Sequence, residues 1–201
     1  CVVVITLDMS APADVLETLS FWLYEVRRQV SAAGAGAPKS GSRQAEVWAG
    51  HSDAAQVHPI GVPLVVLAHK WDLFEEEFGS PKYAKIATKA LRHFAHSNGA
   101  SLLCSKHKDK QIMTALRNLL YHHVFGTAAV RTVQVDTSKP LLTPAGTDSF
   151  AEIGKPPIVE GVSGGADQRW TAAYEATFPP KQGKRDAQDL AAAVASEQCP
   201  H

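Results

Sequence analysis

The sequence predicts an α/β fold in which helices cover the faces of a parallel β-sheet, and two observations carry this prediction. Within residues 1–126, three short apolar runs alternate with three longer segments whose apolar residues recur at helical spacing. Such alternation is typical of parallel sheets joined by right-handed crossovers. The apolar runs are nearly continuous and rich in β-branched residues, as expected for strands that are buried on both sides.

The composition suits a folded globular protein of one domain with some additional chain. The 201 residues are 45% hydrophobic and 20% charged, which is enough apolar sequence for a sizeable core. Lys and Arg number 20, as do Asp and Glu, so no electrostatic footprint for nucleic acid or an anionic membrane is present. Three widely spaced cysteines are a poor disulfide framework and favour a reducing, cytoplasmic compartment. No apolar run is long enough to span a bilayer.

Residues 1–7 form the first predicted strand. The chain starts inside this strand and not at a Met, so we expect further sequence upstream of Cys1. Ser10 predicts a helix N-cap and Pro12 a first helical turn, and the helix runs to about residue 31. Residues 32–61 predict a flexible insertion with a short helical turn at about 44–48, because small residues dominate its first part.

Residues 62–68 predict the second strand, and residues 75–77, which are all Glu, predict an acidic loop after it. A helix then begins at Pro81 and ends at Asn98 and Gly99. Residues 100–104 predict the third strand, and a third helix ends at Gly126.

After residue 126 the alternation of strands and helices stops. Residues 127–182 are rich in Gly and Pro, which predicts an irregular extension. Within it we predict an isolated strand at about 132–135 and a short helix at 166–178. Residues 183–201 predict a polar, mobile tail with one further helix at about 186–196. The helix at 166–178 carries an aromatic stripe at every fourth position, which either docks back on the chain's own sheet or anchors in the groove of a partner. The stripe consists of Trp170, Tyr174 and Phe178.

Two short motifs follow the second and third predicted strands, at the edge where parallel α/β sheets bind ligands. His69-Lys70-Trp71-Asp72 and Ser105-Lys106 resemble the base-binding motifs of Ras-like GTPases, which read Asn/Thr-Lys-x-Asp and Ser-Ala-Lys. The resemblance implies that Asp72 accepts hydrogen bonds from the guanine edge and that the Lys70 stem packs over the base. His69 departs from this pattern, and the second motif lacks its Ala.

The chain contains no Gly-x-x-x-x-Gly-Lys-Ser/Thr phosphate loop. Without a phosphate cradle, phosphoryl transfer has no machinery within these residues. In a Ras-like order the phosphate loop would precede the strand at residues 1–7 and would therefore lie upstream of Cys1. A zinc site is a weaker alternative, since Cys104 and His107 lack a second pair of ligands and His122 and His123 diverge on their helix. His93 and His96 are predicted on an exposed helix face, as are the basic residues Lys82, Lys85, Lys89 and Arg92.

Longer stretches resemble the light intermediate chains of cytoplasmic dynein 2. They are residues 62–74, residues 88–103 and, most specifically, residues 136–157, which no generic GTPase carries. The strand end at residues 7–12 and the aromatic segment at 170–180 resemble the same family.

The resemblance implies a fold, a partner and a location. The fold is the C-terminal half of a Ras-like, P-loop NTPase-type three-layer parallel sheet, followed by an irregular extension with short helices. The implied function is a non-catalytic subunit that binds the dynein-2 heavy chain, works with other dynein-2 subunits and indirectly with intraflagellar transport particles, and locates to the cytoplasm, cytoskeleton, axoneme and basal body of the cilium. The resemblance also implies no enzymatic activity and no catalytic residue in this chain. From the charge balance, the short apolar runs and the ligand spacing, we expect no nucleic acid, no membrane insertion and no metal.

The resemblance also assigns the candidate residues. Lys70, Asp72, Ser105 and Lys106 become a remnant guanine-base site, with no cofactor expected in this chain. The candidates for partner binding are Phe150, Trp170, Tyr174 and Phe178. The alternative is a nucleotide-dependent, small-GTPase-like switch whose phosphate loop lies upstream of Cys1.

Overall fold

The computed structural model describes residues 1–34, 43–136 and 139–179. Within them lies a four-stranded sheet of order β1-β2-β3-β4, in which β1, β2 and β3 are parallel and β4 is antiparallel to β3. The α/β prediction is therefore confirmed. The strands are β1 (Val3–Asp8), β2 (Leu64–His69), β3 (Ser101–Cys104) and β4 (Leu142–Thr143). The α-helices are α1 (Val15–Ala32), α2 (Arg43–Trp48), α3 (Trp71–Phe78), α4 (Pro81–Ser97), α5 (Lys110–Phe125), α6 (Phe150–Ile153) and α7 (Ala166–Thr177).

The register of the strands brings their carboxyl ends to one edge of the sheet. Asp8 of β1 pairs with His69 of β2, and Ala68 pairs with Cys104 of β3. The residues that follow β2 and β3 therefore emerge side by side, where ligands bind in open α/β sheets. No helix in the described part of the chain has the length and apolar character needed to cross a bilayer.

The two faces of the sheet are covered unequally. Alternate residues of β2 point to opposite faces, so Val66 lies in one cluster and Val65 in another. The large cluster joins the sheet to α1, α4 and α7, whereas the small one joins it to α5 through Leu119. The side of the sheet that faces α5 is therefore the thinner layer.

Two local predictions are corrected. Residues 75–77 lie in α3 and not in a loop, because Trp71 and Phe74 are buried on one side of that helix. Ser10 does not cap α1, since its amide and hydroxyl both donate to the Asp8 carboxylate. Helix α1 begins only at Val15, after a short 3-10 turn.

The second half of the predicted insertion is packed against the domain. Trp48, Val57 and Ile60 are all buried, and so is the carboxylate residue Asp53. These side chains dock residues 43–61 onto the domain, which contradicts the prediction of flexibility there. Residues 35–42 lie outside the described residues.

The extension folds back on the chain instead of running free. Gln134 bridges to Leu142, Leu142–Thr143 adds a strand that the sequence analysis missed, and α7 packs along α4. The aromatic stripe is buried: Trp170 and Tyr174 are 1% exposed and Phe178 is 2% exposed. Of the two interpretations of the stripe, docking on the chain itself is the one that the structure shows.

The burial of this stripe corrects the prediction that it anchors a partner. The ring of Phe178 lies 5.8 Å from Phe74, 5.4 Å from Phe78 and 4.7 Å from Tyr174, so it completes an internal aromatic cluster. Phe150 is half-buried, and its ring lies 4.7 Å from that of His96. The predicted tail at 183–201, including the helix at about 186–196, lies outside the described residues.

Candidate functional site

The structure brings the four residues of the predicted base site to the carboxyl edge of the sheet. Lys70 is the one residue between β2 and α3, and it adopts the left-handed conformation with φ of 60°. Its ammonium Nζ lies 2.6 Å from Asp8 Oδ2, at the end of β1. The ammonium of Lys70 and the hydroxyl of Ser10 lower the pKa of Asp8 to about 2. Lys70 is thus paired within the chain.

Asp72 lies in the first turn of α3 and is also engaged. Its Oδ2 accepts a hydrogen bond from the backbone amide of His107 at 3.3 Å. Desolvation would raise the pKa of Asp72, but this amide and those of Asp72 and Leu73 hold it below its usual range. One of the two oxygens that a guanine edge would require is therefore already used.

The second motif is occupied by contacts with α3 and β2. Lys106 Nζ lies 2.5 Å from Glu75 Oε2, and Glu75 also accepts a hydrogen bond from the Trp71 ring at 3.0 Å. Ser105 is buried, and its hydroxyl lies 2.8 Å from His69 Nδ1. His69, which departs from the GTPase pattern, therefore ties the two motifs together.

A second polar cluster, which sequence analysis missed, joins α4 to the insertion and the extension. Its members, which we call the clasp, are His51, Asp53, Arg92, His96 and Asp148. Arg92 donates to both carboxylate oxygens of Asp148, at 2.7 and 2.6 Å, and both side chains are 6% exposed. His96 Nε2 lies 2.9 Å from Asp53 Oδ2, which also accepts from the amide of Phe150 at 2.8 Å. The clasp therefore holds three distant segments together.

The buried positions of Arg92, His93 and His96 contradict their predicted exposure. All three lie on the side of α4 that the insertion and the extension cover, and each is paired with a carboxylate. His93 Nε2 lies 2.7 Å from Asp167 of α7. Desolvation lowers the pKa of both histidines, although Asp167 and Asp53 act in the opposite direction. The charge on each residue was visible in the sequence, but partners 43 to 74 residues away were not.

Part of the clasp has ligand types that could hold a metal ion. Ligand atoms of His51, Asp53 and His96 lie within 4.8 Å of one another. Both nitrogens of His51 are already used, because Nδ1 accepts from the Asp53 amide at 3.1 Å and Nε2 lies 3.0 Å from the Asp148 carbonyl. Coordination by His51 would leave a buried backbone group unpaired, so the geometry is that of a hydrogen-bonded clasp.

Cys104 is a poor zinc ligand for an electrostatic reason. Its thiol is fully buried in the core, and this burial raises its pKa to about 12. A zinc ligand must be the thiolate, which this site disfavours. The burial of this thiol therefore argues against the zinc alternative that its spacing from His107 suggested.

The class of fold follows from a comparison with solved structures. The structure described as the conserved domain of the dynein light intermediate chain superposes with a TM-score of 0.55, at 17% sequence identity. The match covers 90% of this chain and 66% of that one, and it establishes a shared Ras-like α/β fold. No family model matches the sequence.

Sequence comparison finds relatives that share one name. Cytoplasmic dynein 2 light intermediate chain 1 of Danio rerio is 33% identical over 189 residues, which are 88% of this chain and 52% of the relative. The Homo sapiens protein of the same name is 32% identical over 192 residues, or 89% of this chain and 54% of that one. By sequence, the chain is therefore similar to cytoplasmic dynein 2 light intermediate chains over most of its own length. It spans about half the length of the curated relatives that it matches.

Proposed function

We propose that this chain is a non-catalytic subunit of the cytoplasmic dynein 2 motor, which binds and stabilises the heavy chain for retrograde intraflagellar transport and cilium assembly. The observation that carries this proposal is the 33% identity with a dynein 2 light intermediate chain over 88% of the chain. Its partners would be the heavy chain and other dynein-2 subunits, with transport particles reached indirectly. Its location would be the cytoplasm, the cytoskeleton, and the axoneme and basal body of the cilium.

The contacts that the candidate base-site residues make within the chain, at the carboxyl edge of the sheet, support a non-catalytic role. Lys70 pairs with Asp8, Lys106 pairs with Glu75, and one oxygen of Asp72 binds a backbone amide. A nucleotide base would have to displace these contacts, and each displaced group would need a new partner. These contacts favour a structural use of the edge.

The packing of the extension supports binding through a formed surface. Because α7 and the segment around β4 are docked on the domain, residues 139–179 contribute to one folded body. If this segment instead wrapped around a heavy chain as an extended strand, it would have to detach from the domain and expose Trp170 and Tyr174. A preformed surface pays less ordering entropy on binding than a segment that must unfold first.

The test is co-purification of the full-length protein with the dynein-2 heavy chain. We expect a stoichiometric complex and a fall in heavy-chain abundance when the subunit is depleted. Normal heavy-chain abundance after depletion, together with failure to co-purify, would exclude the proposed role. Depleted cells in which the unaltered chain, including its insertion and extension, is expressed again serve as the matched control.

A nucleotide-dependent switch is the second candidate function. The observation in its favour is the placement of Lys70 and Asp72 beside Ser105 and Lys106, at adjacent strand ends. Chromatography of nucleotides released from purified full-length protein separates the candidates. We expect the wild-type protein to release no more guanine nucleotide than the Asp72→Asn variant does. If the wild-type protein instead carries stoichiometric GDP or GTP and the variant carries none, the switch is the better assignment.

A further inference from the structure

Helix α5 is buried on one side and exposes large apolar side chains on the other. Ile112 and Leu119 are buried toward the sheet. The opposite side exposes Tyr121 (48%), Val124 (55%) and Phe125 (72%). Large apolar side chains that are exposed together on a folded domain point to an interaction site.

These exposed residues form one stripe together with the cations of the helix. Steps of three and four residues connect the members of what we call the α5 face, so all lie along one side of the helix. The rings of Tyr121 and Phe125 contact edge to face, with centroids 5.6 Å apart. The α5 face consists of Lys110, Met113, Arg117, Tyr121, Val124 and Phe125.

The charge on this face has one sign. Helix α5 contains no Asp or Glu. Within the described residues neither Lys110 nor Arg117 has an ion-pair partner, and the guanidinium of Arg117 contacts Thr114 of its own helix. A solvated helix face usually pairs its charges with opposite ones three or four residues away. Helix α5 itself supplies no carboxylate to this face, so a segment that carries carboxylates would complement its charge.

We propose that the α5 face docks an acidic amphipathic helix of a partner protein. Such a helix places apolar side chains against Tyr121, Val124 and Phe125 and carboxylates beside Lys110 and Arg117. Tyr and Arg are the residue types that dominate binding energy at interfaces. The inference rests on the proposed function, since it supplies the surface with which an assembly subunit would hold its partner.

A lipid surface fits the same face less well. Each cation near an anionic membrane contributes about 1 kcal/mol, and the α5 face carries two on a chain with a formal net charge of zero. A partner protein gains in addition from close packing against the aromatic pair, which a fluid headgroup region does not offer. The observations therefore favour a protein helix.

Site-specific photocrosslinking in the assembled complex tests the proposal. The full-length protein carries Tyr121→p-benzoylphenylalanine, and the matched control carries the same group at Ile158, which is 98% exposed on a different segment. We expect position 121 alone to give a strong crosslink to a peptide of another subunit, amphipathic and with net negative charge. The proposal would be overturned by a crosslink to a neutral or basic peptide or to lipid. It would also be overturned by a crosslink to another part of the same polypeptide, residues 180–201 included, or by the absence of any crosslink.

Binding measurements separate this inference from the proposed function. We expect Arg117→Glu combined with Tyr121→Ala to weaken co-assembly about 10- to 100-fold, with unchanged circular dichroism and thermal midpoint. Ile158→Ala should have no effect. If the double variant assembles normally, the inference is wrong and the proposed function stands. If the wild-type chain fails to assemble with any dynein-2 subunit, the proposed function is wrong. Vesicles of phosphatidylserine that bind the wild type but not the double variant would assign the face to lipid and overturn the inference.

Discussion

At the scale of single residues, the one-residue turn between β2 and α3 shapes the carboxyl edge of the sheet. Lys70 alone links β2 to α3, and this tight turn requires a left-handed backbone. That conformation costs a residue with a Cβ about 1 kcal/mol. The same turn directs the ammonium of Lys70 at Asp8, and the ion pair offsets part of the strain. The backbone of the turn alone would favour Gly, so the ion pair with Asp8 is the contact that accounts for Lys at this position.

Substitution at Lys70 tests this explanation. We expect Lys70→Gly to be more stable than Lys70→Ala by about 1 kcal/mol, because both lose the ion pair but only Ala keeps the left-handed strain. Urea unfolding measures the difference.

The same two substitutions at Lys85, an exposed position within α4, give the reverse order, because Gly is the poorer residue inside a helix. Equal stability of the two Lys70 variants would contradict the role assigned to the turn.

At the scale of elements, α7 is held on α4 by buried aromatic rings and not by polar contacts alone. Trp170 is 1% exposed, and its ring N–H has no hydrogen-bond partner among the described residues. The indole therefore contributes through its volume and apolar area. The contact between His93 and Asp167 sits beside it at the start of α7.

A pair of substitutions at Trp170 separates packing from hydrogen bonding. Trp170→Ala should cost about 3–5 kcal/mol of unfolding free energy, because it leaves a cavity in the core. Trp170→Phe should cost much less, since it retains most of the ring and removes an N–H that has no partner.

Chemical denaturation followed by far-ultraviolet circular dichroism measures both variants. A Trp170→Ala protein of wild-type stability would show that α7 is not docked on α4 in solution.

The buried ion pair between Arg92 and Asp148 links α4 to the extension in a different way. Arg92→Ala should destabilise by about 3–5 kcal/mol, because it leaves the Asp148 carboxylate buried and unpaired. Arg92→Met with Asp148→Leu should recover most of that loss, since it removes both charges and keeps the volume.

Thermal unfolding of the three proteins checks this order. The pair would be energetically unimportant if Arg92→Ala matched the wild type.

The sequence predicted elements well where local chemistry marks them. Helix α4 lies within one residue of its predicted bounds, because Pro81 starts it and Asn98-Gly99 stops it. Helix α3 was missed because three consecutive Glu residues obscured the apolar spacing of Trp71 and Phe74. Strand β4 has two residues and is defined by its pairing with β3, which no local pattern reveals.

The clasp could not be predicted, for a related reason. The contacts that join its three segments connect residues 43 to 97 positions apart, and single charges in the sequence do not specify their partners. The base-site residues, in contrast, were found because strand ends in a parallel sheet share one edge. Their assigned role in binding a base stays a prediction.

At the scale of the whole molecule, buried histidines couple stability to pH. Desolvation lowers the pKa of His93 and of His96 below the ordinary value of 6.5. Below about pH 6.5 the unfolded chain therefore binds protons that the folded chain does not. The free energy of unfolding therefore falls as the pH drops from 6.5 toward the pKa values of the folded state. Above pH 6.5 the two histidines do not reduce it.

The pH dependence can be measured by urea unfolding at pH 7.5 and 5.5. We expect a loss of up to about 1.4 kcal/mol per histidine per pH unit in this range. His93→Gln should reduce the pH dependence by about one proton, because it removes one of the two histidines whose pKa is lowered by burial. A pH-independent free energy of unfolding would contradict the burial of these side chains.

The clasp also has a consequence for the order in which the protein folds during synthesis. When synthesis has reached only residue 126, the chain contains α4 and strands β1 to β3, but not β4, Asp148, Asp167 or the rings of α7. Until the extension emerges, Arg92, His93 and the adjacent apolar surface of α4 stay open to water. The nascent domain therefore exposes apolar surface, and is prone to aggregation, until residues 139–179 emerge and cover it. This is the stage at which a chaperone is most useful.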